Sequence, residues 1–191
     1  GSKATQVVNQ RNPCENTSKF NIGTWNVNSM LKPGKLDELN TQMNYADLDI
    51  LGICETRWAG NGDYIRDDLR IIYSGKEKRG SSGVAIVLKG QWKQNVLNTY
   101  HVNDRMMMIK IEAQPTDLYI VMVYFPTTRA HDEEIEIVYE QLEEVLNLAE
   151  DKSNVILIGD FNASVGSSSS NQECAGKFGY GTRNKRGERL L

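Results

Sequence analysis

The sequence predicts an α/β fold in which sheets are covered by helices, and three observations carry that reading. Short, mostly aliphatic runs of strand character recur along the chain; two segments carry apolar residues at helical steps of three and four; and the helical segments interleave with the strands. With 191 residues, 39% of them hydrophobic and 25% charged, the chain suits one domain that buries roughly 70% of its unfolded surface.

The elements follow in order. Residues 1–19 are polar and aperiodic and read as a flexible leader, Gly1-Ser2 being a tag remnant. Residues 20–191 form the folded part, which opens with FNIGTWNV (20–27), rich in β-formers, with Asn26 and Asn28 at its exit. Leu36, Leu39, Met43 and Ala46 make the stripe of an amphipathic helix, and Asp49 to Glu55, DILGICE, returns as a short aliphatic strand. Further strands are expected over Arg70 to Ser74, Gly83 to Leu88, Gln94 to Tyr100, Arg105 to Glu112, Asp117 to Tyr124 and Asn154 to Asp160. Ile135, Val138, Leu142, Val145 and Ala149 predict a second helix with its apolar stripe on a sheet, and Ser164 to Glu173 is a polar loop.

Composition narrows the class. The longest apolar run, from Tyr119 to Phe125, is much too short to span a bilayer and no secretory segment follows the N-terminus, so no membrane partner and an intracellular location are expected. Cys14, Cys54 and Cys174 have neither disulfide nor zinc spacing and read as free thiols. A net charge of −3 hides an uneven distribution: Asp132 to Lys152 holds nine acidic residues and one Lys, whereas Lys177 to Arg189 holds five basic residues and one Glu. A polyanion would find a local basic segment there, although two solvated faces explain the same pattern.

The chemistry lies where strands end. FNIGTWNVN closes on Asn26 and Asn28, DILGICET on Glu55, DLYIVMVYFP on Tyr124 and VILIGDFNA on Asp160 and Asn162. If those ends share one edge, carboxylates, carboxamides and a phenol meet in a cleft suited to one hard divalent cation and a phosphate. Each residue alone has a plain structural reading, as a turn cap or, for Glu55, a surface partner of Arg57. His101 and His131 read as ordinary surface residues, and Met106, Met107 and Met108 as core filler.

At these residues the sequence resembles the endonuclease/exonuclease/phosphatase superfamily. TWNVN, ICETRW, RGSSGVAIVL, VYFPT and GDFNA occur in that family's order; ETRW, NDRMM (103–107) and GKFGYGTRNKRGERLL (176–191) resemble the apurinic-endonuclease-like domains of RTE-type non-LTR retrotransposons and craniofacial development protein 2-like sequences. The resemblance implies a four-layer α/β/β/α sandwich of two mostly antiparallel or mixed sheets and a metal-dependent phosphodiesterase site at one edge. Glu55 would hold Mg²⁺, with Mn²⁺ as the other candidate, and Asn28 stands where many members carry a metal-sharing Asp. Asn26 would organise the site, Asp160 orient or deprotonate the attacking water, Asn162 hold the phosphate or that water, and Tyr124 support the phosphate. Lys177, Arg183, Asn184, Lys185, Arg186 and Arg189 would contact DNA.

The implied activity is DNA nicking that leaves a 3′-hydroxyl for a retrotransposon, with a nuclear location. Thr127 stands where many members carry Asn. Members also continue into strands that complete the sheets and a Ser-Asp-His motif, so this chain is expected to be a truncated domain, weak or inactive alone, self-associating through exposed sheet edges. Two other readings stay open: a non-catalytic, domesticated DNA-binding remnant, and another phosphoesterase of the superfamily.

Overall fold

A strand that is apolar at every position must be covered on both faces, because successive side chains point to opposite sides of the sheet. A computed structural model of the chain describes residues 19–78, 80–167, 175–176 and 178–191 and bears this out. The expected leader, except for Lys19, lies outside the described residues, as do Cys14, Cys174, Lys177 and part of the 164–173 loop. Strands β1 (Ile22–Asn26), β2 (Ile50–Cys54), β3 (Asn61–Arg66), β4 (Leu69–Ser74) and β5 (Val84–Leu88) form one sheet in the order β1-β2-β5-β4-β3. Strands β6 (Val96–Asn103), β7 (Met106–Ile111), β8 (Leu118–Tyr124) and β9 (Asn154–Asp160) form a second in the order β6-β7-β8-β9. Both sheets are mixed: β1 with β2 and β8 with β9 are parallel, and the remaining pairs antiparallel.

The layers follow from which side chains face which way. Ile50, Ile72, Ile86 and Leu88 of the first sheet meet Met107, Ile109, Ile120 and Met122 of the second, which makes the central core. On the outer face of the first sheet, Leu39 and Met43 of α1 (Lys35–Tyr45) cover Leu51, Ile53, Ile71 and Val87. On the outer face of the second, Ile135, Val138, Leu142 and Val145 of α2 (Asp132–Leu146) cover Met106, Met108, Tyr119 and Val121. The result is helix, sheet, sheet, helix. Ile86, Met107 and Ile109 are fully buried, and truncating such a side chain to Ala costs about 2–5 kcal/mol.

Three elements differ from the sequence expectation. β3 was absent from it because NGDYIR is almost entirely exposed and pairs only with β4, so no apolar alternation marks it. β6 starts at Val96 because Gly90–Lys93 forms a 3-10 turn first, and it continues to Asn103 through two register shifts. A short third helix, α3 (Lys185–Arg189), falls in the segment read only for its charge. Among the described residues no helix is long and apolar enough to cross a membrane.

Candidate active site

Parallel pairing gathers the polar strand ends. Asn26 at the end of β1 stands level with Cys54 of β2, and Tyr124 at the end of β8 stands level with Asp160 of β9. Each sheet thus contributes two strands that finish together, and β1 and β9 lie against one another across the sandwich. Asn26, Glu55, Tyr124, Asp160 and Asn162 consequently meet at one edge.

Asn26 is at the centre of the hydrogen bonding. Its Nδ2 donates to Glu55 Oε1 at 2.9 Å and to Asp160 Oδ2 at 3.2 Å, so one carboxamide ties together carboxylates from different sheets. Glu55 Oε1 also accepts from the Tyr124 hydroxyl at 2.9 Å, and Oε2 accepts from Arg57 Nη2 at 3.4 Å. Asp160 Oδ1 accepts from the Asn162 backbone N–H at 3.0 Å, while Asn162 Nδ2 donates to the Phe125 carbonyl at 2.9 Å. Asn26, Asp160 and Asn162 line an open cleft of about 460 Å³.

The backbone here is held in an unusual conformation. Asn28, Glu55, Arg57 and Asn162 have φ of 53°, 60°, 59° and 46°, in the left-handed region. For Glu55 and Arg57 this costs roughly 1–3 kcal/mol each and persists only where the surroundings enforce it. The enforcement comes from the GSSG segment: Thr56 N–H donates to the Gly83 carbonyl at 3.1 Å and Arg57 N–H to the Ser82 carbonyl at 2.8 Å. A Cβ on Gly83 would stand 2.3 Å from Thr56 Oγ1, so the close approach that turns Glu55 into the site requires glycine. Gly159 has the same role before Asp160, with φ 145° and the Val123 carbonyl oxygen 1.9 Å from where a Cβ would be.

The electrostatics keep Glu55 ionised and Tyr124 protonated. Partial burial pushes the Glu55 carboxyl up, but hydrogen bonds from Asn26, Tyr124 and Arg57, with the Arg57 charge, outweigh it and hold the group below its ordinary value. Burial, followed by the hydrogen bond to Glu55, pushes the Tyr124 phenol up to about 12. Burial likewise raises the Cys54 thiol to about 12 and leaves it inert.

The remaining sequence candidates are engaged in other ways. Asn28 is exposed, and its Oδ1 accepts from Arg57 Nη2 at 3.0 Å, so it orients the arginine on Glu55. Arg57, read from sequence only as a surface partner of Glu55, is part of the site. Arg105 went unread; its guanidinium lies 5.0 Å from the centroid of the Tyr124 ring, and the sole signal was its place in NDRMM. His101 is on β6 and His131 precedes α2, and neither hydrogen-bonds to the cluster. Thr127, at the turn before α2, accepts the Ala130 N–H at its carbonyl.

Much of the basic segment is tied into the fold. Arg186 donates to the Pro126 carbonyl at 2.6 Å and the Ala130 carbonyl at 3.4 Å; Arg189 pairs with Glu136 and lies 4.3 Å over the Tyr139 ring; Arg183 donates to the Val165 carbonyl at 2.9 Å. Asn184 Oδ1 accepts from Gly187 N–H and Ser164 N–H, capping α3 and fixing the loop that follows Asn162. Of the described members of the set, Lys185 alone is exposed without a hydrogen bond or ion pair. The basic segment thus meets the acidic α2 through one ion pair, Arg189 with Glu136, while Arg183 and Arg186 donate to backbone carbonyls.

Among the described residues no three His, Cys, Asp or Glu side chains converge as a metal cage. The donor set fits a hard cation all the same, because Mg²⁺ needs only one or two carboxylates and keeps several waters. Glu55 supplies the carboxylate, with Asp160 left for the water beside it, and the Arg57–Glu55 pair is partly exposed and long enough to yield.

A profile described as Endonuclease/Exonuclease/phosphatase family matches residues 23–188. The chain is similar to craniofacial development protein 2 of Bos taurus, 37% identical over 91% of this chain and 29% of the relative, and of Tragulus javanicus, 36% identical over 91% and 30%. It therefore spans under a third of the length of these relatives. In structure it is similar to the endonuclease domain of TRAS1, a telomere-specific non-LTR retrotransposon, with TM-score 0.58, 18% identity and 90% and 68% of the two chains covered. It is also similar to the AP endonuclease LMAP from Leishmania major (TM-score 0.59, 15% identity, 74% and 54% covered) and to D. rerio TDP2 complexed with single strand DNA product (0.55, 15%, 76% and 61%).

Proposed function

The chain belongs to the endonuclease/exonuclease/phosphatase family, and on that premise we propose that it is the metal-dependent phosphodiesterase part of a DNA endonuclease. The observation that carries the proposal is the Asn26 carboxamide bridging Glu55 and Asp160, which sets the Glu55 carboxylate beside that of Asp160, and Asp160 lines the cleft. DNA as the substrate is supported by two of the fold neighbours, the endonuclease domain of a retrotransposon and a TDP2 complexed with a single strand DNA product. A nuclear location goes with that substrate.

Glu55, kept ionised by its donors, would hold Mg²⁺ or Mn²⁺; when bound, such an ion supplies charge neutralisation at a phosphoryl oxygen. Asp160 would take the proton of the attacking water while its other oxygen stays fixed by Asn26. Asn162, anchored on the Phe125 carbonyl, would hold the phosphate or that water. The Tyr124 phenol stays a donor at neutral pH and would support the phosphate as charge develops. The water oxygen bonds to phosphorus as the P–O3′ bond breaks, and the departing O3′ takes a proton from bulk water and leaves as the 3′-hydroxyl, with the phosphate kept on the 5′ end. Lys185 is the described residue of the basic segment best placed to meet DNA phosphate. Self-association is part of the same proposal: among the described residues β9 pairs with β8 alone, and Val155 on it is 41% exposed.

Nicking of supercoiled plasmid tests this reading, with soluble phosphoesters run in parallel. Relaxed circles should form with Mg²⁺, disappear with chelator, and form about 100-fold more slowly in Glu55→Gln and Asp160→Asn. Nicking that persists with chelator or in both variants refutes it. One observation favours a non-catalytic DNA-binding role, the Arg57 guanidinium resting on Glu55 Oε2. Salt-sensitive DNA binding with no nicking under any metal would mark that role.

A further inference from the structure

Beside the carboxylate cluster lies a cleft that the proposed chemistry leaves unused. The chain leaves Asn28 through the 29–34 loop and leaves Glu55 through Trp58; between these segments and the β3–β4 hairpin opens a space of about 410 Å³. One wall is a cluster of aromatic rings. Trp58 and Tyr73 pack edge to face at 5.1 Å, and Tyr64 completes the set at 6.3 Å from Tyr73 and 6.5 Å from Trp58. The Tyr73 ring lies over its cross-strand partner Gly62, where a Cβ would stand 2.3 Å from Cε1, so the hairpin is shaped to seat it. Tyr64 remains 37% exposed.

The rest of the lining is cationic. Lys32, Lys35 and Arg66 border the cleft. Lys35 pairs with Glu38, and Arg66 with Asp37 and Asp67, all in exposed geometry where exchange for another anion costs little. The Lys32 ammonium is exposed and has no hydrogen bond or ion pair among the described residues. Aromatic faces with cations around one concavity match a nucleobase and its phosphate: the base stacks on a ring, and the ammonium or guanidinium meets the backbone. A purely apolar ligand would leave three cations unused, and an inorganic polyanion would leave three rings unused.

We infer that this cleft binds an unpaired nucleotide of a DNA strand, flanking the phosphodiester at Glu55. The inference rests on the DNA reading above for its ligand and register. Trp58 is three residues from Glu55, roughly 10 Å of extended chain at most, which makes the two subsites adjacent.

Fluorescence of single-stranded oligonucleotides carrying 2-aminopurine, in chelator so that no strand is cut, tests it. Binding should quench the probe. Trp58→Ala and Tyr64→Ala should each weaken binding about tenfold and reduce the quench, with Trp58→Phe close to wild type. Lys32→Ala should lower the slope of log affinity against log salt by about 0.7. Unchanged affinity and quench in folded Trp58→Ala overturns the inference; if that variant does not fold, the more exposed Tyr64→Ala decides in the same way. Ring-dependent binding by a chain that nicks nothing leaves the cleft standing and removes the endonuclease reading. Metal-dependent nicking with ring-independent binding does the reverse.

Discussion

The Tyr124 hydroxyl donates to Glu55 Oε1 at 2.9 Å, a bond that joins the end of a strand in one sheet to the end of a strand in the other. Glu55 Oε1 receives Asn26 as well, so the carboxylate is oriented from both sheets at once. Tyr124→Phe removes one of its donors without changing the shape of the core. The expected loss is about 1 kcal/mol, a fall in melting temperature of about 2–4 °C. Nicking should slow by about tenfold or more, since the phenol orients the Glu55 carboxylate and, on the proposed reading, supports the phosphate. A variant that melts and nicks like wild type would remove Tyr124 from the site.

Asn26→Asp tests the cation site from the opposite direction. It replaces the two N–H bonds that separate Glu55 and Asp160 by a third negative charge. Without metal the variant should melt below wild type; with Mg²⁺ it should gain more than wild type gains, and chelator should reverse the gain. At 100 times the dissociation constant, a ligand that binds only the folded state adds about 2.7 kcal/mol. Calorimetry across a Mg²⁺ series reads this directly, and equal Mg²⁺ shifts in the two proteins contradict the placement.

Gly159→Ala should be severe, because its Cβ would stand 1.9 Å from the Val123 carbonyl oxygen at a φ of 145°. A loss of about 3 kcal/mol or more in urea denaturation is expected. Gly176→Ala is the control: among the described residues nothing lies within 4 Å of its Cβ, and its denaturation midpoint should be unchanged.

His101 supplies a pH dependence remote from the cluster. His101 is exposed overall, but partial burial of its ring lowers the imidazole below the ordinary value of 6.5, with the Asp63 carboxylate opposing the shift. The unfolded chain therefore takes up the proton more readily than the folded one. Stability is unaffected above about pH 7 and falls as pH drops from 6.5 through the lower folded value. Proton NMR should give His101 a midpoint below 6.5, and His101→Gln should lose less stability than wild type on acidification. A midpoint above 6.5 would show that Asp63 dominates.

The fold was legible where burial writes a pattern into local sequence. The strands β2, β5, β7 and β8 are buried at every residue and read as mostly apolar runs, Lys110 of β7 being the charged exception, and the stripe of α2 marks the face that covers Met106 and Val121. β3 was not legible, since an exposed edge strand needs no apolar side chains. The 177–189 segment was legible as a charge run and not as structure. Whether Arg186 meets a phosphate or the Pro126 carbonyl depends on where α2 begins in space, which a local charge pattern does not encode.

The candidate site divides along the same line. The sequence by itself determined that Asn26, Glu55, Tyr124, Asp160 and Asn162 stand at or just past the ends of hydrophobic strands, because a strand's length and exit are local properties of its residues. That these ends meet was decided only by the tertiary structure. The Asn26–Asp160 bond spans 134 positions and exists because β1 runs parallel to β2, β8 runs parallel to β9, and the two sheets stack with those pairs aligned. Strand direction relative to a neighbour is set by the crossover between them and by the packing of α1 and α2 on the outer faces, and no strand carries that information in its own side chains.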